Sequence, residues 1–118
     1  MRIHLGGSSR QSLVIARGKL DAAVKGATAA SASELSSQLF FAADVLSKNT
    51  SIRRAFADPS RDAASKGALV KDLFTKTLAA TALEILTDVS TLRWSAAGDL
   101  VHVLEQLAIE AEASAANI

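Results

Sequence analysis

The sequence predicts an all-α fold, a compact six-helix bundle in a single domain. No stretch alternates apolar and polar residues over the length of a strand, so the period of two that marks a half-buried strand is missing. Alanine is abundant, and β-branched residues are dispersed. The 118 residues, 49% of them hydrophobic, suffice for one domain with its own core. We expect a flexible N-terminal arm over residues 1–8 and a helical domain over residues 9–116.

Turn signals divide the chain into six predicted helices. Short side chains that carry an oxygen can accept hydrogen bonds from the free N–H groups of a first helical turn. We therefore expect Ser8 or Ser9 to cap the first helix, Ser33 to cap the second, and Asn49 or Thr50 to cap the third. The predicted helices span residues 9–27, 33–48, 50–57, 61–75, 78–93 and 97–116.

Two breaks in the helical pattern stand out in the second half of the chain. Asp58-Pro59-Ser60 is the clearer one, because a proline disfavours helical geometry at the preceding residue. Ser60 could cap the helix that follows. The second break covers residues 93–98, where we expect Trp94 to pack at the turn between the last two helices.

Most of the helices carry the single apolar face of a helix that packs against one core. The short third helix offers Ile52 and Phe56 at a spacing of four residues, which places both on one side. In the last helix the apolar residues share an arc of about 140°, and they are Leu100, Val103, Leu104, Leu107, Ala108 and Ala111. The opposite side of that helix is polar and carries His102, Glu105 and Glu112.

The first and fifth helices carry more apolar surface than one core contact requires. In the fifth helix apolar residues spread over about 180°. The first helix has a main stripe of Leu13, Ala16, Leu20, Ala23, Val24 and Ala27, and a second uncharged line of Ile15, Gly18, Ala22 and Gly26. Each glycine costs about 1 kcal/mol relative to alanine inside a helix, so a closely approaching partner would explain both glycines. The alternative is that both helices are simply well buried in the bundle.

The sequence offers no catalytic, cofactor or metal site. There is no cysteine, and the two histidines, His4 and His102, lie at opposite ends of the chain. Residues 6–10 are rich in glycine and serine but lack the lysine and spacing of a phosphate-binding loop. No apolar run approaches the roughly 20 residues that cross a bilayer, and no signal peptide is evident. We expect a non-enzymatic protein, cytoplasmic or peripheral to a membrane.

Charge leaves one alternative function open. Thirteen basic and twelve acidic residues give a formal net charge of +1, which is unlike a protein that follows a phosphate backbone. The middle of the chain is locally basic, and its two helices around residues 58–60 resemble a helix-turn-helix. The alternative is therefore a small helical DNA-binding regulator, although Asp62 would stand unfavourably near the start of the recognition helix. The basic residues concerned are Arg53, Arg54, Arg61, Lys66, Lys71 and Lys76.

Several segments in their order along the chain resemble one known family. Residues 52–60, Ile-Arg-Arg-Ala-Phe-Ala-Asp-Pro-Ser, followed by Lys-Gly-Ala-Leu-Val at 66–70, are similar to the N-terminal domain of the delta subunit of F-type ATP synthases. Residues 81–86, the Arg-Trp-Ser turn at 93–95 and residues 104–108 resemble the actinobacterial branch of that family. The resemblance covers the chain from about Ser9 to Ala113.

The resemblance implies a six-helix bundle that belongs to the peripheral stalk, or stator, of the enzyme. In this family, whose mitochondrial counterpart is the oligomycin-sensitivity-conferring protein, the domain binds the N-terminal helix of an alpha subunit between its first and fifth helices. It holds the catalytic head static against rotor torque during proton-driven ATP synthesis, at the cytoplasmic face of the membrane. A C-terminal delta domain, absent from this chain, joins the b-subunit stalk. No nucleic acid, cofactor or membrane insertion is implied.

The predicted partner-binding residues combine this resemblance with the helical faces. Small residues permit close helix approach, so we expect Ile15, Gly18 and Ala22 of the first helix to contact the alpha-subunit helix. The choice of edge on the fifth helix stays open at this point, because Ile85 and Leu92 on the other edge are equally apolar, and Leu83, Leu86 and Ser90 could equally belong to the core. The residues predicted on the fifth helix are Leu83, Leu86, Thr87 and Ser90.

Overall fold

The computed structural model describes residues 7–117 and confirms the all-α six-helix bundle. Within this range the regular elements are helices, with no strand. The helices are α1 (Gly7–Val24), α2 (Ala29–Lys48), α3 (Thr50–Ala57), α4 (Ala63–Phe74), α5 (Ala80–Ser90) and α6 (Ala97–Ala116). Most of the predicted N-terminal arm, residues 1–6, lies outside the described residues. Gly7 and Ser8, which the prediction assigned to that arm, are helical.

The end of α1 differs from the prediction. The helix ends at Val24, and Gly26 has a φ of +76°, a left-handed conformation that glycine adopts without steric cost. The Ala27 N–H donates to the Val24 carbonyl at 3.0 Å and closes the turn. Gly26 is thus a turn residue, and its alignment with Gly18 on a helical face was wrong.

Helix α2 begins earlier than the predicted Ser33, because a local capping box starts it. The Thr28 hydroxyl accepts a hydrogen bond from the Ser31 N–H at 3.0 Å, and the Ser31 hydroxyl accepts one from the Thr28 N–H at 3.0 Å. Ser33 therefore lies inside the helix. Its hydroxyl donates to the carboxylate of Glu112 on α6 at 3.0 Å.

The α3–α4 loop uses two aspartates, and the predicted cap Ser60 has a different role. The Asp62 carboxylate accepts from the Ser65 N–H at 2.7 Å and caps α4, and this bond is the largest cause of the lowered pKa of Asp62. The Ser60 hydroxyl and N–H donate to Asp58 at 2.7 and 2.9 Å, and they lower the pKa of Asp58. Both carboxylates are therefore held in the charged form.

Helix α5 is capped from another helix. Its N-cap residue, Ala79, has no side-chain oxygen, and the Ala79 N–H donates to the Gln38 side chain on α2 at 2.8 Å. The two residues are 41 positions apart in the chain. Leu78, which the prediction placed in the helix, precedes it and is buried.

The antiparallel pair α2–α6 forms the centre of the bundle. The buried Ser36 hydroxyl donates to the Ala108 carbonyl at 2.6 Å, and fully buried leucines line both helices: Leu39, Leu46, Leu100, Leu104 and Leu107. Helices α3 and α4 contribute Phe56 and Phe74, whose rings meet edge to face with centroids 6.1 Å apart. Helices α1 and α5 pack on the same core, and their other sides meet solvent.

Candidate functional site

Helices α1 and α5 lie side by side in antiparallel orientation. The Ser12 hydroxyl donates to the Arg93 carbonyl just after α5, at 2.5 Å. Further along α1, the Lys19 ammonium lies 3.6 Å from the Asp88 carboxylate. Residue numbers therefore rise on α1 as they fall on α5, and the two contacts fix the relative register of the helices.

A groove remains open between the two helices. Its volume is about 420 Å³, and we call it the α1–α5 groove. Ile85 is buried and Ala23 is partly buried, and these two form its apolar floor, whereas Ala22, Thr81 and Glu84 are exposed at its sides. The lining residues are Lys19, Ala22, Ala23, Thr81, Glu84, Ile85 and Asp88.

The predicted residues of α1 are exposed along one side of the helix, so the interpretation that this line is buried in the bundle was wrong. The side chain of Ile15 is 49% exposed, and Ala22 is exposed as well. A Cβ added to Gly18 would meet no atom within 4 Å. Residues three and four apart share a helical face, so the three residues form one uncharged line, which continues into the groove at Ala22.

The predicted residues of α5 lie elsewhere. Leu86 and Ser90 are fully buried, which is the core alternative that the sequence left open. Leu83 is partly buried against the core. Thr87 faces α4, because a methyl group on Gly67 would lie 3.5 Å from the Thr87 methyl. The edge of α5 that borders the groove is instead the one with Ile85.

The polar groups of the groove are unevenly paired. Lys19 and Asp88 form an ion pair in which both side chains are about two-fifths exposed. Glu84 lies one helical turn from Asp88. Its side-chain carboxylate forms no hydrogen bond or ion pair with any residue in the range 7–117. One cation and two carboxylates therefore leave the lining with a formal charge of −1 and one free carboxylate.

A partly buried polar network lies at the start of α1, outside the groove. The fully buried Ser9 hydroxyl donates to the Asp99 carboxylate at 2.7 Å and accepts from the Ser95 N–H at 2.7 Å. The prediction treated Ser9 as a possible helix cap, and this tertiary role was missed. Serines at core positions of α1, Ser9 and Ser12, were the available signal. The network ties α1 to the loop before α6.

Trp94 lies in that loop and packs as predicted. Its side chain is buried, and the indole Nε1–H donates to the Val89 carbonyl at the end of α5 at 3.1 Å. A buried indole needs such a partner for its polar N–H. The turn between α5 and α6 is therefore fixed by a side chain as well as by the backbone.

The basic segment that suggested DNA binding is partly occupied by structural roles. The Arg53 guanidinium donates to the carbonyls of Leu46 and Ser47 at 3.4 and 3.0 Å, at the end of α2. Lys66 is buried, and burial is the main cause of its lowered pKa. Two of the six cations are thus less available to a phosphate backbone.

Neither a metal cluster nor a membrane span is found in the described part of the chain. Residues 7–117 contain no group of three or more histidine, aspartate or glutamate side chains that could hold a metal ion. None of the helices in that range is both long enough and apolar enough to cross a membrane.

Comparison with known proteins finds several relatives that share one name, ATP synthase subunit delta. The chain is 34% identical over 110 residues to ATP synthase subunit delta of Salinispora arenicola, which covers 93% of this chain and 40% of that protein. Subunit delta of Streptomyces coelicolor is 34% identical over 111 residues, covering 94% and 40%. Subunit delta of Frankia casuarinae is 35% identical over 109 residues, covering 89% and 40%.

The matches cover 89–94% of this chain. The chain spans about 40% of the length of the curated relatives it matches. No protein-family model matches it. The predicted resemblance to a delta-type domain of actinobacterial ATP synthases is confirmed by these relatives.

Proposed function

From this shared delta-type domain we propose that the chain is a non-catalytic peripheral-stalk domain of an F-type ATP synthase. It holds the catalytic head static against rotor torque during proton-driven ATP synthesis. Similarity to subunit delta over 93% of the chain supports this proposal. An open groove between α1 and α5, with exposed small residues beside it, is the structural observation that carries it.

The proposed partner in the groove is the N-terminal helix of an alpha subunit. An amphipathic helix binds by laying its apolar face into a groove. Here Ala22, Ala23 and Ile85 supply the apolar part of the lining, and the rest of the lining is polar or charged. Glycine and alanine let a partner backbone approach closely, which suits Gly18 and Ala22. We keep Ile15, Gly18 and Ala22 as contact residues, and assign the contact on α5 to Thr81, Glu84, Ile85 and Asp88.

The four residues first predicted on α5 then have a supporting function. Leu86 and Ser90 are in the core, while Leu83 and Thr87 face the core and α4. They hold α5 in place so that its other edge borders the groove. A rigid groove loses little conformational entropy when a helix docks, and this favours slow dissociation. A stator contact requires slow dissociation rather than chemistry.

The remaining partner contacts belong to the whole protein. We propose that a C-terminal delta domain outside this chain joins the b-subunit stalk, as the family resemblance implies. The assembled protein would then lie at the cytoplasmic face of the membrane as a peripheral component. These assignments rest on the family resemblance alone, because the chain covers only 40% of the length of the relative from Salinispora arenicola.

Titration of the isotopically labelled chain with a synthetic peptide of the alpha-subunit N-terminus tests the proposal. We expect the largest amide shifts in α1 around residues 15–23 and in α5 around residues 81–88. Shifts confined to α3 and α4 would contradict the groove. The alternative DNA-binding function is tested by electrophoretic mobility at physiological salt, where the stator proposal expects no retained DNA.

A further inference from the structure

We propose that Glu84 is a specificity residue of the α1–α5 groove, and that it receives a lysine or arginine side chain of the docked helix. This inference rests on the proposed function, since it assumes that a helix occupies the groove. It adds a chemical requirement on that helix: an apolar face alone is insufficient, and one basic residue must stand at the α5 edge.

The charges of the groove carry the proposal. Lys19 is the cation of the lining, and Asp88 lies 3.6 Å from it. Glu84 lines the same groove, and its side-chain carboxylate has neither an ion pair nor a hydrogen bond within residues 7–117. A docked helix therefore meets one unsatisfied carboxylate, which complements a cationic side chain.

The cost of desolvation turns this charge into selectivity. A helix that covers the groove removes water from Glu84, and a carboxylate that loses water without gaining a partner is penalised. A lysine or arginine of the docked helix replaces the lost water with a charge-assisted hydrogen bond. A helix with a neutral or acidic residue at that place binds more weakly, even when its apolar face is the same.

The placement of the charge also fixes how the helix is rotated about its axis. On α1, Ala22 lines the groove and Gly18 lies beside it, and both small residues permit close backbone approach. The ammonium of Lys19, on the same helix, is already paired with Asp88. The free charge stands on the α5 side at Glu84, next to the apolar Ile85. The docked helix must therefore present small or apolar residues towards α1 and its basic residue towards α5.

Calorimetric titration of the whole chain with the alpha-subunit N-terminal peptide tests the inference. We expect Glu84→Gln to weaken binding about fivefold, the scale of a partly exposed ion pair, and to reduce the dependence of Kd on salt. Asp72→Asn is the matched control, because Asp72 is an exposed carboxylate on α4 away from the groove. The control removes the same charge and should leave Kd unchanged.

An exchange of charges between the peptide and position 84 identifies the basic residue on the peptide. Each lysine or arginine of the peptide is replaced in turn by glutamate and measured against the native chain and against Glu84→Lys. We expect that one of these replacements weakens binding to the native chain. The same replacement should restore peptide binding to the Glu84→Lys variant. Equal Kd values for native chain and Glu84→Gln, with no such pair, would overturn the inference while leaving the proposed function intact. Absence of any peptide binding to the native chain would overturn both.

Discussion

Two antiparallel helix pairs of this bundle, α2–α6 and α1–α5, differ in the side chains at their contact. Leucines fill the space between α2 and α6, and the buried Ser36 hydroxyl bonds to the Ala108 carbonyl at 2.6 Å. Between α1 and α5 the polar contacts are the Ser12 bond at one end and the half-exposed Lys19–Asp88 pair. Alanines stand beside the groove where leucines would close it.

The comparison teaches that side-chain size separates a core from a docking surface here. Large side chains interdigitate and expel water from the buried contact between α2 and α6. A smaller groove, of about 290 Å³, stays open on the outer side of this pair beside Phe40 and Glu105. Small side chains on α1 leave a groove of about 420 Å³ open beside α5. Changes in the first pair should alter folding stability, whereas changes in the second should alter binding.

Truncation in the α2–α6 pair should have the largest effect. Leu39 is fully buried, and Leu39→Ala removes buried methyl groups and leaves a cavity, so we expect a loss of about 3 kcal/mol in the free energy of unfolding. Urea denaturation measures this loss. A loss below about 1 kcal/mol would mean that this pair is not the closed core described here.

A charge on the α1 side of the groove should disrupt binding and spare the fold. Ala22 is exposed, so Ala22→Asp should leave the melting temperature nearly unchanged, but weaken peptide binding by at least tenfold, because docking would bury an unpaired carboxylate. Calorimetry and thermal melting measure the two effects. Ala68→Asp, on the exposed side of α4, is the control. A large drop in melting temperature would assign Ala22 to the core instead.

Gly18→Ala should change stability and binding in opposite directions. The position is inside α1, and nothing lies within 4 Å of an added Cβ. Helix propensity then predicts a gain of roughly 0.5–1 kcal/mol in the free energy of unfolding. Binding should weaken several-fold if the partner backbone approaches this glycine. Gly98→Ala, which also has open space around its Cβ position, should stabilise without affecting binding. Unchanged peptide affinity in Gly18→Ala would place the partner away from this side of α1.

Low pH should reduce folding stability through the α3–α4 loop, which lies outside both helix pairs. The pKa of Asp62 is lowered by the hydrogen bond from Ser65, so its contribution to stability is present above the unfolded-state pKa and is lost as the pH falls through the lower folded-state pKa. Asp62→Asn keeps an oxygen at the cap and removes the titration. We expect a shallower loss of stability below pH of about 4 in this variant, measured by chemical denaturation. An unchanged slope would contradict the prediction.

High pH should have the opposite effect at Lys66 and increase folding stability. Burial is the main cause of its lowered pKa, so the charged form costs stability at neutral pH, and the cost is relieved as the pH rises through the folded-state pKa towards the unfolded value of about 10.4. Lys66→Met keeps an unbranched apolar stem and should melt at a slightly higher temperature at pH 7. The difference should shrink towards pH 10, which thermal melting at the two pH values checks. A lower melting temperature at pH 7 would show that the ammonium group contributes to folding.

The sequence by itself determined the fold class and much of the first helix. Turn signals and the apolar period of 3.6 residues predicted the six helices found within residues 7–117. Helical angles placed Ile15, Gly18 and Ala22 on one line of α1, and the structure showed that this line is exposed. Trp94 was placed correctly at the last turn. These features depend on residues close together in the chain, whose directions follow from one helix geometry.

The tertiary structure alone decided which edge of α5 borders the groove and how several elements are held. Both edges of α5 are apolar, and the position of α4 against Thr87 leaves the Ile85 edge beside α1. The Gln38 bond that caps α5 and the Ser9 bond to Asp99 join residues 41 and 90 positions apart. Helical periodicity specifies what a helix must bury, but the neighbour that covers each face is set by packing between distant segments.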